Sequence, residues 1–231
     1  RLSDEHLVAV EAVPLDDRRW RVTIVAYDYL GELSLICGLL FVYGFNILDG
    51  DIFTYESPPS AVAEEDAARH ARTQRRRAPP ADARRKIVDV FTVRSERADP
   101  PADVWANYAA DLDALLRRLA AGEQREAQGD LAVRVANTLR ELAGGTTTLY
   151  PIDIEIDNAA SERYTVLRID APDTIGFLYE FTNALALSGV YIARMTVDSV
   201  GSRVQDTLYV TDAQGRKITS PTNLRDLSAA T

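Results

Sequence analysis

Apolar and polar residues alternate along Trp20-Arg-Val-Thr-Ile-Val-Ala-Tyr-Asp28, then give way to Tyr29-Leu-Gly31-Glu-Leu33. Alternation at period two predicts a half-buried strand. The next apolar positions, Leu35, Ile36, Leu39, Leu40 and Tyr43, recur at three- and four-residue spacing and predict an amphipathic helix with one apolar face. Gly44 follows, a residue suited to the left-handed position that ends a helix. Strands are then expected over Phe45 to Tyr55 and Val88 to Val93.

The same order returns later in the chain. Tyr164-Thr-Val-Leu-Arg-Ile-Asp-Ala-Pro-Asp173 is an alternating strand leading into Thr174-Ile-Gly176-Phe-Leu178. Phe177, Phe181, Ala184, Leu185 and Ser188 then predict a helix, Gly189 its end, and Val190 to Val197 and Gln205 to Val210 two further strands. Asp28 to Asp173, Gly31 to Gly176 and Gly44 to Gly189 are each 145 residues apart, whereas Asp89 to Asp206 is 117. The first copy therefore carries 28 additional residues, roughly Ser57 to Arg85. This insertion holds Pro58, Pro59, Pro79, Pro80 and a basic cluster at Arg75, Arg76 and Arg77, and reads as a solvated hairpin excursion with a short helix near Glu64 to Gln74.

Helical patterns separate the copies. Asp99 is a candidate N-cap with Pro100 at the first helical position, and Val104, Tyr108, Leu112, Leu115, Leu116 and Leu119 form an apolar stripe closed by Gly122. A second helix is expected from about Asp130 to Leu142, with Leu131, Val135 and Leu139 on one side and Gly144-Gly145 after it. Leu149-Tyr-Pro-Ile-Asp-Ile-Glu-Ile-Asp157 alternates strictly and predicts a strand leading into the second copy, as an added edge strand.

Strand, helix, strand, strand, twice over, predicts an α+β protein built from two ferredoxin-like βαββαβ modules in tandem, joined by a helical segment. The expected boundaries are 18–97 for the first module, with its insertion at about 57–85, 98–148 for the helical connector, and 149–231 for the second module. A module of this kind leaves sheet edges and an open face that invite pairing, within the chain or in a homodimer.

Composition narrows the chemistry. The formal net charge of −9 makes nucleic acid a poor partner. No run of about 18 apolar residues is present, so no membrane span is expected. Cys37, the single cysteine, excludes an intrachain disulfide and fits a reducing cytoplasm. Cys37 is expected to be a small buried hydrophobe. His6 and His70 are the only histidines, and neither a metal cluster, a catalytic triad nor a nucleotide-binding glycine loop is evident, so no cofactor is expected. Asp153, Glu155 and Asp157 share one strand face, a pattern open to a divalent cation but expected to be a solvated edge. Trp20 and Trp105 are expected to anchor packing.

The loops carry the candidate site. A strand-to-helix turn presents the first unpaired helix N–H groups, which attract a carboxylate. Gly31 and Gly176 let the backbone approach a ligand and adopt dihedrals closed to other residues. Asp28 and Asp173 could accept hydrogen bonds from a ligand ammonium or cap the helix. The candidate ligand-binding residues are Asp28, Leu30, Gly31, Glu32 and Leu33 in the first copy, and Asp173, Ile175, Gly176, Phe177 and Leu178 in the second. Asn46 and Tyr191, just after the two glycines that end the helices, join them from the second strand.

These residues resemble the ACT domain family, whose first strand runs into a loop of the form Asp-Arg-Pro-Gly-x-Leu. Asp173-Thr-Ile-Gly176-Phe-Leu178, Ile156-Asp-Asn158-Ala-Ala-Ser161-Glu-Arg-Tyr164-Thr-Val166 and Arg203-Val-Gln-Asp206-Thr-Leu-Tyr-Val-Thr-Asp212-Ala-Gln-Gly215-Arg-Lys-Ile218 look like the second ACT module of the C-terminal regulatory region of PII-protein uridylyltransferases. The first copy is a weaker match, and Tyr29-Leu30 and Thr174-Ile175 replace the family's Arg-Pro. The resemblance implies a regulatory sensor, with no catalysis of its own, that binds a small amino acid, glutamine first, and controls nitrogen or amino-acid metabolism through a catalytic domain or partner protein. The alternative is a protein-interaction or dimerisation module without a ligand.

Overall fold

The turn at Asp16 to Arg18 decides where the chain's first strand goes. Asp17 and Arg18 both have φ 57, the left-handed values of a tight hairpin turn, and Leu15 N–H donates to Arg19 O at 2.8 Å. β1 (Val8–Pro14) is thereby folded back antiparallel on β2 (Arg19–Tyr27), with Pro14 opposite Trp20. In the computed structural model the described residues are 2–3, 5–55, 85–97, 100–142, 152–172, 174, 176–200 and 203–219. The insertion up to residue 84, His70, Asp99, Gly144-Gly145, Asp173 and Ile175 lie outside them.

After β2 come α1 (Glu32–Val42), β3 (Phe45–Tyr55), β4 (Lys86–Ser95), α2 (Val104–Ala121) and α3 (Gln124–Leu142). The second half supplies β5 (Asp153–Asp157), β6 (Thr165–Pro172), α4 (Phe177–Leu187), β7 (Tyr191–Val200) and β8 (Arg203–Thr211). The strands form one eight-stranded sheet in the order β1-β2-β4-β3-β7-β8-β6-β5, with every pairing antiparallel. The expected α+β architecture is present and consistent with two ferredoxin-like halves, although among the described residues the second half has no second helix. In a βαββαβ unit the edge strand beside the first strand arrives last. Here β1 and β5 fill that place from the N-terminal side of each half, because each forms a local antiparallel pair with the strand that follows it.

The halves join through β3 and β7. Asp51 faces Thr196 in this register, and these residues are themselves 145 apart. A pseudo-two-fold axis therefore passes between them, with Thr196 Oγ1 donating to Asp51 Oδ1 at 3.5 Å. The pairing shifts by one residue at Leu48 in β3 and at Ala193 in β7, again 145 apart. Both bulges add twist beside the starts of these strands.

Helices cover one face of the sheet. Ile87, Asp89, Phe91 and Val93 of β4 point into that layer, while Val88, Phe53 and Tyr55 are exposed on the other face. The expected single apolar face of α1 is corrected to burial all round: Glu32 through Leu40 are buried without a break. The sheet lies on one side, and α2, α3 and α4 pack on the others. The connector is thus part of the core, with Trp105 stacked on Phe45 at 4.4 Å and tilted against Trp20 at 5.6 Å. Two boundaries move. α2 starts at Val104, not at Pro100, because Pro101 disfavours helical dihedrals in the residue before it. α3 starts at Gln124, since the buried Ala127 and Gln128 give its first turns a packed side that the apolar pattern does not announce.

Gly38 permits the closest approach in the helix layer. A Cβ there would stand 2.6 Å from Tyr179 Cδ2 and 2.7 Å from Leu131 Cδ2, both nearer than real contacts. Gly129, in the interior of α3, has nothing within 4 Å of such an atom. Gly38→Ala is expected to lose about 1–3 kcal/mol through overpacking, and Gly129→Ala to gain about 0.5–1 kcal/mol through the helix backbone. Urea unfolding of the two variants beside the parent checks both signs.

Candidate functional sites at the seam between the halves

α1 and α4 begin alike. Gly31 (φ 91) and Gly176 (φ 82) are left-handed at the N-cap, and no side chain caps either helix from that position. Glu32 N–H donates to Tyr29 O and Phe177 N–H to Thr174 O, both at 3.1 Å. Leu35 N–H returns to Gly31 O at 3.2 Å, and Glu180 N–H to Gly176 O at 3.1 Å. Between those donors, the Leu33 and Ser34 amides and their counterparts at Leu178 and Tyr179 are first-turn groups for which the helix itself offers no acceptor.

Each turn faces the opposite half. In the first cleft Asp28, Leu30, Gly31, Glu32 and Leu33 meet Thr182 and Ala186 of α4 and Val190, Tyr191 and Ile192 at the start of β7. In the second, Thr174, Gly176, Phe177 and Leu178 meet Cys37 and Phe41 of α1 and Phe45, Asn46 and Ile47 of β3. Moving the first set of opposing residues by 145 positions gives the second set, so the clefts are pseudo-symmetric. Tyr191 therefore joins the first turn and Asn46 the second, across the seam in both cases. The free space, mouths included, is about 270 Å³ in the first cleft and 480 Å³ in the second.

The first cleft is charged. Asp28 Oδ2 lies 2.8 Å from Arg85 Nε, with the Asp28 side chain only 5% exposed. The Arg85 guanidinium carbon is also 5.8 Å from the centre of the Tyr191 ring. Burial pushes the Glu32 carboxyl well above the ordinary range, and the nearby Asp28 and Asp89 charges push it further, against its own backbone amide and Arg85. Burial likewise pushes Asp89 well up; the Phe53 backbone works the other way, but neither oxygen has a hydrogen bond of good geometry among the described residues. α3 braces this turn: a Cβ on Gly31 would meet Gln128 Nε2 at 3.1 Å, whereas one on Gly176 would meet no atom of the described residues within 4 Å.

The second cleft is mostly apolar around two polar groups. Asn46 is half-buried at its rim. Asp206, 2% exposed, lies on its wall and accepts from Asp198 N–H at 3.4 Å. Cys37 is 2% exposed, as expected of a small core residue, and burial raises its thiol pKa.

Arg85, Asp89, Asp206 and Thr182 are the residues that sequence reasoning missed. A signal existed for the two aspartates. Each occupies an inward position of an alternating strand, and they match across the copies. Arg85 had no such signal, because its pairing with Asp28 depends on how β4 lies beside β2. At the far edge, Arg168 Nη1 stands 3.3 Å from both Glu155 and Asp157, and no group of three potential metal ligands occurs among the described residues.

Two ferredoxin-like halves sharing one antiparallel sheet, with matched clefts at their junction, define the class of protein. Comparison with known sequences adds the relatives. The chain is 33% identical over 225 residues to a bifunctional uridylyltransferase/uridylyl-removing enzyme of Rhodopseudomonas palustris, a match covering 94% of the chain and 20% of that enzyme. The Rhodospirillum rubrum counterpart is 29% identical over 227 residues, 96% of the chain and 20% of the enzyme. The Nitrobacter hamburgensis one is 32% identical over 205 residues. The chain is thus homologous over nearly all its length to part of the PII-protein uridylyltransferases, and spans about one fifth of the relatives it matches. No family model and no solved structure matches it. No helix among the described residues is long and apolar enough to cross a membrane.

The two buried carboxyls fix a pH dependence. Both keep their protons to higher pH folded than unfolded. Their contribution is whole below the ordinary carboxylate range and is lost as pH rises through the raised values. Glu32→Gln removes one of them, so between about pH 5 and 8 the variant should lose stability less steeply than the parent. Parallel urea midpoints for the two proteins across that range would refute the assignment.

Proposed function

We propose that this chain is a regulatory sensor made of two ACT-type modules, 18–97 and 149–231, joined by the connector 98–148, and that it binds an amino acid where the modules meet. Glutamine is the leading ligand, through the resemblance to the regulatory region of PII-protein uridylyltransferases. The observation that carries the reading is the crossing of the seam: a glycine-led helix start of one half opposite the polar strand residue of the other. A carboxylate would accept from the first-turn amides after Gly176. An ammonium group would pair with Asp206 or with Asp173, the counterpart of Asp28. A side-chain amide would reach Asn46.

A ligand held this way touches both halves, so its affinity depends on how they are set against each other. Regulation follows if the catalytic part of the full protein favours one setting and the ligand another. Both walls of each cleft come from one chain, so the site needs no homodimer. The second reading, an interaction module without a ligand, draws support from Tyr29-Leu30 and Thr174-Ile175 in place of Arg-Pro and from the apolar Phe53, Tyr55 and Val88 on the uncovered sheet face.

Titration calorimetry of the chain with each of the twenty amino acids separates the two. Glutamine is expected to bind, and Asn46→Ala to weaken it at least tenfold, about 1.4 kcal/mol. Flat titrations for all twenty would leave the interaction module as the better reading.

A further inference from the structure

The two clefts share a backbone and differ in side chains. Glu32 follows Gly31 in the first, whereas Phe177 follows Gly176 in the second. Arg85 precedes β4, whereas Ser202 precedes β8 at the matching sequence position, 117 residues on. We propose that at the first junction Glu32, which lines the cleft, and Arg85, which lines the adjoining space with Asp28 and Tyr191, stand where a bound amino acid's carboxyl and ammonium groups would stand, so that this cleft is closed by its own side chains and the chain takes a single amino acid, in the cleft at Gly176. The proposal rests on the amino-acid-binding reading given above.

Three observations carry it. Asp28, the natural partner for a ligand ammonium, is already paired with Arg85 at 2.8 Å, and the guanidinium also lies over the Tyr191 ring on the opposite wall. The pair therefore spans the seam as a ligand would. Next, the Glu32 carboxyl is buried at the helix start, 6% exposed, with its own backbone amide among the groups that favour it. A ligand carboxylate brought there would find the helix start already occupied by the Glu32 carboxyl and would lie beside the Asp28 charge. Finally, the free space, mouths included, is smaller, about 270 against 480 Å³, and Gln128 backs the turn at Gly31.

Among the described residues, the second cleft holds no such stand-in. Phe177 cannot accept a hydrogen bond, and Asp206 lies on the wall, where it can meet an ammonium. Its counterpart Asp89 is not part of the first cleft's lining. The first cleft then acts as a fixed strut between the halves, and the second as the one that a ligand opens or fills.

Calorimetry of the whole chain with L-glutamine reads the stoichiometry. One molecule per chain is expected, with binding lost in Phe177→Glu and kept within twofold in Val133→Ala, at an exposed position of α3. Replacing both stand-ins by the residues at the matching sequence positions of the second copy, Glu32→Phe with Arg85→Ser, should raise the count to two. A crystal structure of the unaltered chain with L-glutamine gives a readout free of any folding defect: density beside Gly176 and none beside Gly31. Two molecules per chain in the parent, or density beside Gly31, overturns the proposal while leaving the sensing reading intact. A doubly substituted chain that is folded yet still binds one molecule overturns the role given to Glu32 and Arg85. No binding of any amino acid by the parent would remove the sensing reading and this inference together.

Discussion

The antiparallel pairing of β3 with β7 is the interaction on which the rest of the structure depends. It turns two four-stranded sheets into one, and its register places Asp51 opposite its own counterpart, Thr196. Once that register is set, the matched helices must meet over the seam, and each helix start must face the other half's strand. Register in a sheet is unforgiving, since a slip of one residue sends every side chain to the other face. Here a slip would also separate Asn46 from the Gly176 turn and Tyr191 from the Gly31 turn.

The helix layer shows the cost and the use of that arrangement. α1 is enclosed by the sheet, α2, α3 and α4, which is why it carries Gly38 where α4 and α3 press closest. Enclosure also explains its electrostatics. Glu32 and Asp89 are carboxyls kept in an apolar setting, where the neutral form is favoured. Asp89 has its counterpart in the buried Asp206, whereas Glu32 is matched by Phe177. The presence of Glu32, with Arg85, makes the first junction a charged and filled one, while the second keeps an apolar wall with Asn46 and Asp206.

Much of this was legible in the residues. The constant spacing of 145 located both helices and their glycine ends, and α4 is α1 displaced by that number, residue for residue. It also marked Asn46 and Tyr191 as equivalent. What could not be read was the third dimension of the match. Alternation shows that Asp89 points inward but not that Glu32 lies near it. A loop residue such as Arg85 gives no periodic signal at all. The edge strand β5 was anticipated, but β1 was not, for another reason. Val8 to Pro14 alternates weakly, and only the left-handed turn at Asp17 and Arg18 commits it to β2. The start of α3 escaped because Gln124 to Gly129 is polar, and its burial comes from α1 rather than from its own apolar content.

Having both halves on one polypeptide changes how such a protein can diverge. In a symmetric pair of identical subunits, any substitution appears twice, and the two junctions stay alike. Covalent linkage lifts that symmetry. Cys37 can be altered without altering Thr182, and Asn46 without Tyr191. One junction is therefore free to specialise in holding the halves together while its twin retains the power to respond.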